Sequence, residues 1–184
     1  MSDRLTDPVS DPVGDPVDRL LAQWRRERPD LDTSPMAVVG RVSRVARHVD
    51  LAQRETFARY ELDPPAFDVL ATLRRSGEPF ALTAGDLMRS AMVTSGAITQ
   101  RLDRLEARGL VRREPHPGDG RVVLVVLTEA GRELVDRVLP DHLETEERLL
   151  AALSPAQRTT LAGLLRTLDR ALAADEPPRA SDRR

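Results

Sequence analysis

The 184-residue sequence predicts a mainly α-helical protein with a small β-wing and long helices at both its N- and C-terminal ends. Three observations predict this class. Apolar residues recur at three- and four-residue spacing along most of the chain, the signature of helices buried on one face. One interval, from Leu110 to Leu127, changes to a β-branched, strand-like pattern. Aromatic residues make up only 3% of the chain, so Leu, Val and Ala must build the core, a composition suited to helix packing more than to a β-sandwich.

The elements follow in order. The leader carries the repeat Asp7-Pro8-Val9, Asp11-Pro12-Val13, Asp15-Pro16-Val17. Proline at every fourth position excludes a continuous helix, so residues 1–14 are expected to be disordered. In the last copy Asp15 can cap and Pro16 can open a helix running through Leu20, Leu21 and Trp24 to Arg28. Ser34-Pro35 repeats the signal and starts a helix of about 25 residues, a length usually explained by packing on a partner helix. Its apolar residues are Met36, Val39, Val42, Val45, Ala46, Val49, Ala52 and Phe57, and it runs to Tyr60. Asp63-Pro64-Pro65 opens the next helix, which carries Phe67, Val69, Leu70 and Leu73. Thr83 to Asp86 has capping-box spacing and starts a short helix. After the tight connection Ala91-Met92-Val93, Thr94 caps a helix with Ile98, Leu102 and Leu105 on one face, stopped by Gly109. Leu110–Glu114 and Arg121–Leu127 form a hairpin with its tip at residues 115–120. Thr128 caps a long helix to about Ala152, bent at Pro140, and Ser154 to Gln157 caps the last, to about Ala173. The tail 175–184 is expected to be disordered, leaving residues 15–174 as a single domain. Within it, 15–60 and 128–174 are expected to supply dimerisation helices and 61–127 the winged part.

Composition excludes several functions. There is no cysteine, which removes disulfides, thiol catalysis and zinc-finger ligation. No apolar run reaches membrane-spanning length and no signal peptide is evident, so a cytoplasmic protein is expected. His48, His116 and His142 form neither a metal spacing nor a triad and read as surface residues. With no convergent acid–base set and no glycine-rich phosphate loop, no enzyme, metal or cofactor is expected. The net charge of −2 conceals an uneven distribution. Between Arg89 and Arg121 seven arginines face four acids, whereas from Thr128 onward nine arginines face eleven acids.

Two short helices joined by a turn and followed at once by a hairpin define a winged helix-turn-helix. Such a unit seats its second helix by an apolar face and presents the other face to base edges. Ile98, Leu102 and Leu105 are the seating face. Thr94, Ser95, Thr99, Gln100 and Arg104 are the candidate DNA contacts, with Gln100 suited to a bidentate adenine contact and the hydroxyls to phosphate near the helix start. Arg121, at the hairpin tip, is the candidate minor-groove contact.

Three stretches, Phe67-Asp-Val-Leu-Ala-Thr-Leu-Arg-Arg75, Val93-Thr-Ser-Gly-Ala-Ile-Thr-Gln-Arg-Leu-Asp-Arg-Leu-Glu-Ala-Arg-Gly-Leu-Val111 and Leu127-Thr-Glu-Ala-Gly-Arg132, resemble the MarR family of regulators. The resemblance spans about Val17 to Leu172. It implies a homodimer on a pseudo-palindromic DNA operator, and a repressor is the expected function. The wing departs from the family pattern: Asp119-Gly120-Arg121 leaves one arginine where the family often has two. The helix containing Leu21-Ala-Gln-Trp-Arg-Arg-Glu-Arg-Pro-Asp-Leu-Asp32 is similar to the subgroup of urate-responsive and trans-aconitate-methyltransferase regulators. That likeness implies release by a small anionic metabolite of the urate, trans-aconitate or citrate kind, bound by Trp24, Asp68, Arg101 and Arg113. Two arginines can clamp such an anion through forked hydrogen bonds. Trp24 as an anchor of its helix and Asp68 with Arg101 as an ion pair remain the alternative reading of these residues. A helical dimeric protein-interaction module without DNA binding is the alternative function.

Overall fold

The computed structural model describes residues 14–90 and 98–175. The expected disordered leader and tail, the connection 91–93 and the Thr94 cap therefore lie, but for Gly14 and Asp175, outside the described residues. The chain divides between Glu55 and Thr56 into two compact units.

The first unit holds α1 (Pro16–Glu27) and most of α2 (Ser34–Ala58). Asp15 starts α1 through a full capping box. Its carboxylate accepts from the Val17 and Asp18 amides, and the Asp18 side chain accepts from the Asp15 amide. Arg41, on α2, donates to Asp15 at 2.9 Å and to Asp18 at 2.7 Å, stapling the first turn of α1. Val17, Leu21 and Thr33 are buried. Ser34 is the first helical residue of α2, not its cap. Asp32 takes both the Ser34 amide and its hydroxyl at 2.9 Å, because a carboxylate two residues earlier reaches donors that a serine cannot satisfy by itself.

The second unit contains the main core. It holds α3 (Pro64–Arg75), β1 (Ala81–Thr83), α4 (Ala84–Ser90), α5 (Ile98–Ala107), β2 (Val111–His116), β3 (Asp119–Leu127), α6 (Glu129–Leu149) and α7 (Pro155–Asp175). Phe57, Phe67, Val69, Leu70, Leu73 and Leu87 meet Ile98, Leu102, Leu105, Val111, Val125, Val135 and Val138 in one buried cluster. The expected helix order holds. The hairpin, however, belongs to a three-stranded antiparallel sheet of order β1-β3-β2, with Leu82 opposite Val125. At three residues β1 is too short for an alternating pattern, and only its pairing with β3 makes it a strand. The wing strands also extend further than expected, so that His116 pairs with Asp119 around Pro117-Gly118.

Helix starts match the sequence closely. Asp63 accepts from the Ala66 amide at 2.7 Å, and Thr128 from the Gly131 amide at 3.0 Å. Ser154 and Gln157 form a reciprocal capping box. In the Thr83 box the Asp86 carboxylate turns to the Thr83 hydroxyl at 2.7 Å, while that hydroxyl accepts from the Asp86 amide. Helix α6 continues through Pro140, which lies inside it.

The apolar residues of the long helices are not all spent on the chain's own core. In α2 only Thr56 and Phe57 are buried, and Val38, Val39 and Val45 are each about 60% exposed. Along α7 Leu161, Leu164, Leu165, Leu168 and Leu172 are exposed.

Candidate nucleic-acid interface

Helix α5 is seated as its sequence requires. Ile98, Leu102 and Leu105 are at most 5% exposed, and Thr99, Gln100, Asp103 and Arg104 point outward. Thr94 and Ser95 lie outside the described residues. The end of α5 is closed by a Schellman motif: the Leu110 amide donates to the Leu105 carbonyl at 3.0 Å and the Gly109 amide to Glu106 at 2.8 Å. Gly109 takes φ 68°, a left-handed conformation that glycine adopts without a Cβ penalty.

The wing grips α5 through Arg113 on β2. Its guanidinium donates to Asp103 at 2.6 Å and to Glu106, and its amide donates to Glu106 at 3.0 Å. The Asp103 carboxylate above all, with Glu106, raises the Arg113 pKa above the ordinary arginine value, partial burial opposing them. At the wing tip Arg121 is almost fully solvated, and its guanidinium meets Asp119 at 3.3 Å.

A different face of α5 carries Arg101 and Arg104, continued past its end by Arg108. Together with Glu61, Leu62, Asp63, Ala66 and Leu105 they line a cleft of about 330 Å3. Among the described residues the guanidinium groups of Arg101 and Arg104 have no hydrogen-bond or ion-pair partner. Arg108 donates to the carbonyls of Glu61 and Tyr60.

The four residues implied as a ligand site are thus distributed. Asp68 is on α3, 3.9 Å from Arg75, with its side chain mostly shielded from solvent. Arg101 faces the cleft, whereas Arg113 lies with Asp103 and Glu106, roughly half a turn around α5 at 100° per residue. Trp24 is on α1 in the other unit and 41% exposed. Arg108 was not singled out from sequence, although the spacing 101, 104, 108 places all three arginines on one helical face.

One expectation is corrected. His142 is not a surface residue: its side chain is 14% exposed and packs against Phe57 and Phe67, with ring centroids 5.2 and 5.1 Å away. Its Nε2 meets Glu146 at 3.2 Å, and Nδ1 is buried without a partner. A histidine at one edge of an amphipathic helix gives no sequence signal of which way the ring turns. Among the described residues no cluster of His, Asp or Glu could hold a metal ion, and no helix is long and apolar enough to cross a membrane.

Two short helices, an amphipathic second helix clamped by a following hairpin, and guanidinium groups on that helix and at the wing tip define the winged helix-turn-helix class. Residues 60–122 match the MarR family model. The HTH-type transcriptional regulator PecS of Dickeya dadantii is 42% identical over 156 residues, covering 85% of this chain and 94% of PecS. This chain belongs to the MarR family of HTH-type transcriptional regulators, not to an enzyme family. Among solved structures, Bordetella bronchiseptica BpsR, described with regulation of its DNA binding by 6-hydroxynicotinic acid, is 27% identical at a TM-score of 0.66. The match covers 76% of this chain and 94% of BpsR. A mutant MarR of E. coli complexed with operator DNA is 26% identical at a TM-score of 0.64, covering 79% of this chain and 96% of that one.

Proposed function

We propose that the protein is a homodimeric repressor that binds a pseudo-palindromic operator and is released by a small anionic metabolite. The observation that carries the DNA-reading part is the seating of α5: its apolar face is buried, its Thr99-Gln100-Arg104 surface is outward, and Arg113 clamps it to the wing. The clamp also offsets two carboxylates that would otherwise repel phosphates. Thr94 and Ser95 complete the proposed reading surface, with Arg121 entering the minor groove. The exposed Leu and Val residues of α2 and α7 support dimerisation, since apolar faces of this extent are costly in water. In a two-fold dimer the reading helices lie roughly 34–36 Å apart, one turn of DNA.

The anion response is supported by Arg101. It lines the cleft beside Arg104 and Arg108, three guanidinium groups against the two carboxylates of Glu61 and Asp63, which leaves a net positive charge for an anion to meet. Trp24 and Asp68 remain proposed members of the ligand set. For Arg113 to join it, its guanidinium must exchange Asp103 and Glu106 for the ligand. Such a ligand shifts binding only by its preference for the state that does not bind DNA. Footprinting on a duplex pool, with and without urate, citrate and trans-aconitate, tests both parts. A two-fold footprint whose affinity falls steeply with salt and with one of these anions is expected. A flat salt response would refute DNA reading. An anion response intact after substitution of both Arg101 and Arg113 would refute the ligand site.

A further inference from the structure

The recognition helix is attached to α6 at two separated points, and the second runs through Arg108. At the first, the Thr128 hydroxyl that caps α6 donates to the Gly109 carbonyl at 2.7 Å. At the second, Arg108 donates to the Glu61 carbonyl at 2.5 Å and to the Tyr60 carbonyl at 3.3 Å. The Tyr60 hydroxyl then donates to Asp141 of α6 at 2.7 Å, and Arg59 lies 3.2 Å from the same carboxylate. Thr128 and Asp141 are about 20 Å apart along the helix at 1.5 Å per residue. On the α5 side the two attachments leave adjacent residues, Arg108 and Gly109, just past the end of the helix, and they diverge to points that far apart on α6, so that together they resist a rotation that either alone would allow.

The corner between them is built for this. The Leu62 amide donates to Phe57 and the Glu61 amide to Ala58, a Schellman ending to α2. Glu61 holds the left-handed position at φ 55°, where glycine is usual. The corner turns two successive carbonyls toward one guanidinium, whose planar fork suits such a pair.

We propose that Arg108 is a positioning residue that sets the angle of α5 against α6, and with it the separation of the two reading helices in the dimer. This rests on the dimeric DNA-reading function proposed above. It predicts that losing the latch changes tolerance of half-site spacing, and not the number of phosphates neutralised.

The test uses the full chain and the duplex that the wild type selects from a random pool, together with versions lengthened or shortened by one base pair between half-sites. Arg108→Met is expected to reduce discrimination among the three spacings at least fivefold, with the slope of log affinity on log salt unchanged. Tyr60→Phe, which removes only the hydroxyl bond to Asp141, is expected to act in the same direction and serves if Arg108→Met folds poorly. A salt slope lowered by about one with spacing discrimination intact would make Arg108 a phosphate contact and overturn the latch. Unchanged spacing and slope in both variants would leave only a surface bond, again overturning it. A wild type that selects no two-fold site would refute the DNA-reading function, and the latch with it.

Discussion

Glu61 and Gly109 occupy the same position in two Schellman endings, one closing α2 and the other closing α5. Both have positive φ, 55° and 68°. In each ending the residues flanking the turn, Phe57 with Leu62 and Leu105 with Leu110, are buried in the core cluster. The left-handed conformation costs a residue with a Cβ roughly 1–2 kcal/mol and costs glycine almost nothing. Gly109→Ala is therefore expected to destabilise by about 1 kcal/mol and Glu61→Gly to stabilise by up to about 1 kcal/mol, the exposed Glu61–Arg108 pair counting for little. Urea unfolding of the two variants checks the opposite signs.

Gly131, in the first turn of α6, meets a different constraint. A Cβ there would lie 2.1 Å from the Leu110 carbonyl oxygen and 2.8 Å from Leu127 Cδ1. Backbone cannot yield as a flexible side chain can, so Gly131→Ala forces α6 away from the end of α5. A loss of roughly 2–3 kcal/mol is expected, the scale of core overpacking, and thermal unfolding measures it. Wild-type stability in this variant would mean that α6 can shift from Leu110 without losing packing.

Arg113 predicts a coupled outcome. Arg113→Met leaves Asp103 and Glu106 uncompensated on the reading helix, so duplex affinity is expected to fall by about tenfold, the scale of coupling between neighbours in one network. Adding Asp103→Asn and Glu106→Gln to the same chain is expected to restore most of it. Binding isotherms of the two variants decide, and no restoration would mean that Arg113 acts on something other than these carboxylates.

Arg104 and Arg121 are expected to act on DNA phosphate or groove. Alanine at either should weaken duplex binding and lower the salt slope by about one each, if each neutralises one phosphate. The reduction at Arg121 reports how much a wing with one tip arginine contributes.

Asp86 gives a pH dependence. The Thr83 hydroxyl first, then Arg89, holds its carboxyl below the ordinary aspartate value. A carboxyl lowered on folding adds stability above its unfolded pKa, and that stability is lost as pH falls through the folded value. The start of α4 is thus expected to be fully capped at neutral pH and to loosen only in acid, below the usual carboxylate range. Titration of the Asp86 carboxyl by NMR, with Thr83→Val as comparison, should show the midpoint move upward in the variant.

Local sequence signals set the helices, the wing and the class. Caps at Asp15, Asp63, Thr83, Thr128 and Ser154, the Gly109 stop and the seating face Ile98-Leu102-Leu105 are local signals, carried by hydrogen bonds within a few residues or by helical period. Tertiary structure decided what those signals cannot encode. The strand character of Ala81–Thr83 exists only through its pairing with β3, and the burial of His142 only through Phe57 and Phe67. Arg101 and Arg113 were expected to share one ligand, yet one lines a cleft and the other is consumed by two carboxylates. The physical reason is range: a guanidinium on a long flexible stem takes whichever partner the packed neighbours bring within reach, and that partner is set by residues distant in the chain.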